Sequence, residues 1–232
     1  RLAHMLLASG LTAAFLIAGI SAYKIVKGDP SKSSRRSLNA GVIIAAILIP
    51  IQIFVGDQSG LLVLKHQPDK LAAIEAVWET ESPMAFNVIA FPNEETRSND
   101  FALQIPHLGS IILTHSLDGK VLGLNEFKEH PPVAIVFWSF RIMVGVGLLM
   151  LLTSWIGAVQ LMRRKKIGPK MLKVFIGMTF SGWVAVLFGW YTTEIGRQPW
   201  IVYNLIKTAD AAAPHGPTVM ISSLLIYCLI YI

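Results

Sequence analysis

Cysteine is almost absent from this sequence. The single Cys228 lies inside an apolar run, which excludes a disulfide framework and a cysteine-built metal site. Charge is scarce as well: 15% of the residues are charged and 53% are hydrophobic. A soluble domain rarely keeps charge out of such long runs, and several windows approach the roughly 20 apolar residues needed to cross hydrocarbon. Neither an internal repeat nor a low-complexity tract is present, which excludes solenoid architectures. What remains is an all-α membrane protein: a transmembrane helix bundle of about five spans with a long extracytoplasmic loop between the second and third.

The formal net charge of +6 does not point to nucleic acid, because of where the charge sits. Eleven basic residues (Lys24, Lys27, Lys32, Arg35, Arg36, Arg163, Arg164, Lys165, Lys166, Lys170 and Lys173) crowd into two short connections between apolar runs. Short basic loops beside spans mark the cytoplasmic side. The stretch 56–132 carries five basic and eleven acidic residues, and its opposite sign places it outside the cytoplasm. The chain starts on Arg1, stops at Ile232 within an apolar run and shows no signal peptide, so it reads as a fragment of a longer protein.

Three regions follow: 1–55 with two spans and a basic loop, the outer loop 56–132, and 133–232 with three more spans, the last cut short. The first span is expected at Leu2–Tyr23, with Gly28-Asp29-Pro30 breaking the helix after it. The second is expected at Leu38–Val55, containing Pro50 and ended by Gly56-Asp57-Gln58-Ser59-Gly60. The third is Val133–Met162, the fourth Met171–Thr193, and a fifth begins near Pro217.

Polar groups inside spans are costly and therefore informative. Arg141 lies eight residues into the third span, about 12 Å from its outer end. Insertion there costs about 2.5–3.5 kcal/mol, so it needs an anionic partner, a route to the interface, or an ion pair with Glu194. His4 and Met143 both fall in the outer half of the membrane. A His–Met pair is a known axial arrangement for low-spin haem; a buried histidine bonded to a neighbouring helix is the plainer alternative. Glu194 and Arg197 end the fourth span, three residues apart, and suit an ion pair if the helix continues, or inward-facing groups if Gly196 and Pro199 end it. Trp200 fits an interfacial belt. In "QPDKLAAIEAVWET" (Gln67–Thr80), Leu71, Ile74 and Trp78 share a helix face, which predicts a solvated amphipathic helix on the membrane surface. Lys70 and Glu75 are five apart and point about 140° away from each other. His66, His107, His115, His130 and His215 lack metal-ligand spacing and read as loop residues.

Four ordered segments carry a family resemblance: "GDQSG" (Gly56–Gly60), "KLAAIEAVWET" (Lys70–Thr80), "FRIMVG" (Phe140–Gly145), and "GRQPW" (Gly196–Trp200) preceded by Glu194. Together they resemble subunit I of cytochrome bd-type quinol oxidases, over essentially the whole chain. The compact outer loop is similar to the short-loop subgroup sometimes called cyanide-insensitive.

The resemblance implies that His4 and Met143 ligate the low-spin b haem, with Arg141 beside it. It implies that Lys70 and Glu75 bind and oxidise quinol. Glu194 would ligate iron in a high-spin pair, a haem b and a haem d or b, with Arg197 and Trp200 nearby. It further implies a second oxidase subunit, a small single-span subunit, membrane quinol and the lipid bilayer as partners, without nucleic acid. The implied location is the bacterial inner membrane, with the loop on the periplasmic side. Helices that carry the other high-spin ligand and the proton-path acids lie outside these residues, so this stretch alone is not expected to reduce oxygen. The rival class is a membrane transporter segment with an intramembrane Arg141/Glu194 gate; a degenerate, cofactor-free assembly subunit is a third.

Overall fold

The computed structural model describes residues 1–29, 31–211 and 216–231. Two compact units emerge, Arg1–Arg197 and Gln198–Ile232. Pro30 and His215 lie outside the described residues.

The first helix, α1 (Leu2–Val26), has no acid in its first turn and Lys24 in its last. Gly28, at φ +92°, turns the chain where a side chain would be strained. Asp29 then accepts hydrogen bonds from Ser31 N (2.9 Å) and the hydroxyls of Ser31 and Ser34, and these hold its carboxyl below the ordinary value. Ser31 caps α2 by accepting from Ser34 N at 3.2 Å.

Helix α2 (Lys32–His66) is 35 residues long and passes straight through both Pro50 and Gly56–Gly60. The helix continues past the expected span end at Val55, so the boundary at 55/56 falls inside a helix. Among the described glycines only Gly28 has a positive φ, so Gly56 and Gly60 do not turn the chain. Ser59 Oγ bonds back to Val55 O at 2.8 Å, and the apolar residues Leu61–Leu64 keep the helix going. The break comes at Pro68, which begins α3 (Pro68–Glu75); His66 is thus a helical residue.

Small residues let α1 and α2 approach closely. Ala14, Ala18, Ala22, Val42 and Ala45 are buried at their contact. A Cβ on Gly41 would stand 2.7 Å from Ala14 O, so only glycine fits. Phe175 of α6 (Pro169–Gly177) packs against Phe15, ring centroids 6.2 Å apart.

Helix α5 (Val133–Arg164) is the third span, as expected. The fourth is interrupted: α6 ends at Gly177 and α7 (Ser181–Glu194) begins after a turn. Thr179 Oγ bonds Ile176 O (2.6 Å) and Ser181 Oγ bonds Met178 O (2.7 Å), and such back-bonding competes with the helical ladder. The whole segment Pro169–Arg197 still has the length and apolarity to cross a membrane. Four helices in total do so among the described residues, and α9 (Pro217–Tyr231) is a shorter apolar helix. Ile47, Leu152, Trp155, Leu187 and Trp190 are exposed, an outward face suited to acyl chains rather than water.

Between α2 and α5 the outer segment is folded. It holds an antiparallel hairpin, β1 (Phe86–Asn93) and β2 (Ser98–Ile105), then α4 (Leu108–Thr114) and a short 3₁₀ turn, Leu124–Glu126. Its core is Leu71, Val77, Met84, Leu113 and Val121. Helix α3 is no surface helix: every residue from Asp69 to Glu75 is buried, with α5 and α2 packed against it.

The second unit contains β3 (Trp200–Val202), β4 (Ile206–Lys207), α8 (Thr208–Ala211) and α9. Trp200 lies there, paired across the hairpin with Lys207, whose ammonium sits 5.6 Å from its ring.

Candidate functional site

Lys70 and Glu75 share one buried helix and diverge, as their spacing requires. Glu75, the last residue of α3, is 1% exposed. Its Oε2 lies 2.6 Å from Arg141 Nη2. Arg141 also donates from Nε (3.0 Å) and Nη2 (2.6 Å) to Asn87 O, and from Nη1 to Ile74 O at 3.4 Å. Its guanidinium stands 4.5 Å from the Phe137 ring and 4.6 Å from Phe86. The intramembrane arginine therefore reaches up into the outer segment, where Glu75 and backbone carbonyls meet its donors. It does not pair with Glu194. Burial pushes the Glu75 carboxyl above the ordinary carboxylate range, against the pull of Arg141.

Lys70 points to the end of α7. Its Nζ donates to Thr193 O at 3.1 Å, and its stem lies against Gly196, where a Cβ would meet Lys70 Cε at 3.0 Å. Burial, then Arg1, depresses its ammonium to about 8, with Arg197 adding repulsion and Glu194 and Asp69 opposing. Glu194 itself pairs with Arg197 at 2.5 Å, the 3₁₀ turn Ile195–Arg197 continuing α7 far enough to align them. Arg197 Nε is buried without a partner.

His4 sits in the first turns of α1 facing α2. Its Nε2 is 3.1 Å from Gln52 Nε2, and Gly56 lies beside it, a Cβ there falling 3.3 Å from His4 Cε1. His4 Nδ1 and Gln52 Oε1 are both buried without a partner. Met143 of α5 faces α7, where Gly189 makes room for it: a Cβ would stand 2.9 Å from its sulfur. Helix α1 packs on α2, α6 and α7, while α5 packs on α2, α3 and α7. His4 and Met143 thus belong to helices set across the bundle from one another, with α2 and α7 between them. Gly56 lies ten residues before the end of α2 and Met143 ten after the start of α5, about 15 Å in each case.

The family model described as cytochrome bd terminal oxidase subunit I matches residues 1–232. The chain belongs to this family. Among curated relatives, the cytochrome bd-II ubiquinol oxidase subunit 1 of Escherichia coli (strain K12) is 30% identical over 91% of this chain and 54% of its own length. The cytochrome bd ubiquinol oxidase subunit 1 of Bacillus subtilis (strain 168) is 30% identical over 91% of this chain and 48% of its own. The chain is also similar to the solved bd oxidase from Geobacillus thermodenitrificans, with a TM-score of 0.87 and 30% identity, covering 99% of this chain and 53% of that one. The chain spans about half the length of the curated relatives it matches.

In this subunit I chain the expected site residues fall into three groups: Glu75 with Arg141, Lys70 with the Glu194–Arg197 end of α7, and His4 and Met143 deeper in the bundle. Trp200 belongs to the second unit and is described there. Among the described residues no group of three or more His, Cys, Asp or Glu side chains could hold a metal ion. His115 pairs with Asp57 at 3.3 Å, and His130 sets its ring edge-on to Trp78. Sequence reasoning missed Gln52, an amide inside an apolar run and so a legible signal. It also missed Asn87, which nothing marks within a polar loop.

Proposed function

We propose that this chain is the haem-bearing and quinol-oxidising part of a terminal respiratory quinol:oxygen oxidoreductase. The observation that carries the reading is the buried Glu75–Arg141 pair, which ties the outer segment to α5 two residues before Met143. The fit to haem rests on unpartnered buried atoms. His4 Nδ1 and Gln52 Oε1 have no bond in a site flanked by glycine, and Arg197 Nε is an unused buried donor near Lys70. Arg1, Lys70 and Arg197 outnumber the carboxylates of Glu194 and Asp69 there, a balance that suits propionate groups.

On this reading His4 and Met143 hold the low-spin haem b, and Glu194 holds iron in the high-spin pair of haem b with haem d or b. The chemistry supplied by haem is one-electron transfer, from quinol towards the centre where oxygen becomes water. The chain's own residues handle the protons. A quinol gives up two electrons and two protons, and Glu75 accepts the first proton, its raised affinity matching it to a phenolic hydroxyl better than an ordinary carboxylate would. Arg141 keeps the carboxylate aimed and offsets its charge. Lys70 spends one of its three protons on Thr193 O and offers another to a quinone oxygen. The complex includes a subunit II and a small single-span subunit, in the bacterial inner membrane with the outer loop 56–132 on the periplasmic side.

The test is a reduced-minus-oxidised spectrum of the complete oxidase. The b-type band disappears in His4→Ala and persists in His115→Ala. No haem in the wild-type complex, or an unchanged band in Met143→Leu, rejects the assignment. The transporter alternative required an Arg141–Glu194 gate, and each of these residues has another partner.

A further inference from the structure

We propose that Asn87, on the first strand of the outer hairpin, is a positioning residue that fixes Glu75 and Arg141 relative to each other for quinol oxidation. The inference rests on the reading of Glu75 as the proton acceptor and extends it to a residue in a different element.

Helix α3 stops at Glu75, and Ala76 follows in the left-handed region at φ 50°. A helix end leaves carbonyls without partners. Here the Ile74 carbonyl accepts from Arg141 Nη1 (3.4 Å) and the Glu75 carbonyl accepts from Asn87 Nδ2 (2.8 Å). The Ala76 carbonyl accepts from Asn99 Nδ2 (3.0 Å) and Asn87 Nδ2 (3.3 Å). Asn87 also presents its own carbonyl to Arg141 Nε and Nη2. Its side chain thus grips the main chain of the acid while its backbone oxygen grips the base.

The strand is shaped for this. Asn87 is 2% exposed in a hairpin most of whose second strand faces outward. It pairs with Gln104, and the register then slips, Ile89 opposing Leu103, so that Val88 is the extra residue of a bulge. Bulges re-aim neighbouring side chains. Gln104 Nε2 donates to Asn87 Oδ1 at 2.9 Å, which orients the amide with its donors towards α3. Asn99 supplies an internal control, since it caps the same helix end yet has no bond to Arg141 among its hydrogen bonds.

The experiment compares Asn87→Ala, Asn87→Asp, Asn99→Ala and Glu75→Gln in the complete oxidase. It measures haem content, kcat and KM for quinol, and the redox-induced infrared band of the Glu75 carboxyl, assigned as the band lost in Glu75→Gln. Asn87→Ala is expected to retain haem, lose about tenfold to a hundredfold in kcat and displace the carboxyl band. Asn87→Asp keeps the shape but not the donors and is expected to match it, whereas Asn99→Ala stays close to wild type in kcat and band position. Unchanged kcat and band in Asn87→Ala or Asn87→Asp, or an equal loss in Asn99→Ala, overturns the proposal. Should Asn87→Ala fail to assemble, Gln104→Ala carries the comparison: a displaced band supports the proposal and an unmoved one overturns it. Wild-type turnover in Glu75→Gln sinks the underlying reading instead, which separates the two failures.

Discussion

Glu75 and Lys70 sit on the same two turns of helix, and their surroundings shift them in opposite senses. Desolvation raises the carboxyl and lowers the ammonium, because burial disfavours whichever form is charged. For Lys70 the consequence is an alkaline limb. Its folded value of about 8 lies below the ordinary 10.5, so the unfolded chain holds more protons between those two values, and stability rises with pH across that window. On the proposed function the effect on turnover runs the other way, since the cation assigned there to a quinone oxygen is lost as pH climbs through about 8. Quinol turnover is therefore expected to fall with a midpoint near that pH. Lys70→Met should be slow and flat over the same range, as steady-state rates across a pH series will show. A wild-type profile that stays level until well above that midpoint would assign Lys70 to the α7 end alone.

At the scale of the element, small residues decide how close helices come and therefore what fits between them. Gly189 is the informative case. A Cβ there would stand 2.9 Å from the Met143 sulfur, which is near the free end of a flexible side chain and yields more readily than backbone. Gly189→Ala is expected to leave thermal stability within about 1 kcal/mol of wild type while shifting the b-type absorption band or its midpoint potential. An unshifted band would place Met143 away from the iron. Gly41 offers the contrast, because its Cβ would meet the backbone oxygen of Ala14 at 2.7 Å, and backbone does not step aside. The apolar face of α3 predicted a helix lying on the membrane, but α2 and α5 pack against it, and a polar residue such as Asp69 or Lys70 is buried when partners from other elements reach it.

Over the whole molecule, charge sets orientation. The basic connections and the net acidic outer segment lie at opposite ends of the spans, which the positive-inside rule converts into a topology. With Cys228 replaced by serine, Thr96→Cys at the exposed hairpin turn is expected to react with a membrane-impermeant thiol reagent applied to spheroplasts. Lys166→Cys, in the exposed basic turn, should react only after permeabilisation. The reverse labelling pattern would invert the bundle and put Glu75 on the wrong side for periplasmic proton release.

Hydropathy alone determined that this protein is a helical bundle in a membrane and which stretches form its long apolar helices, because apolar length is a property of contiguous residues. His4, Arg141 and Glu194 were legible as candidates for a related reason: polar groups stand out in or beside apolar surroundings. Only the tertiary structure decided that Arg141 answers Glu75 rather than Glu194, that Lys70 turns to Thr193, and that α2 continues to His66. It alone decided that Asn87 joins the acid to the base. Those pairings link residues as many as 123 positions apart. No local pattern encodes them, because a buried charge takes the partner that packing brings within reach.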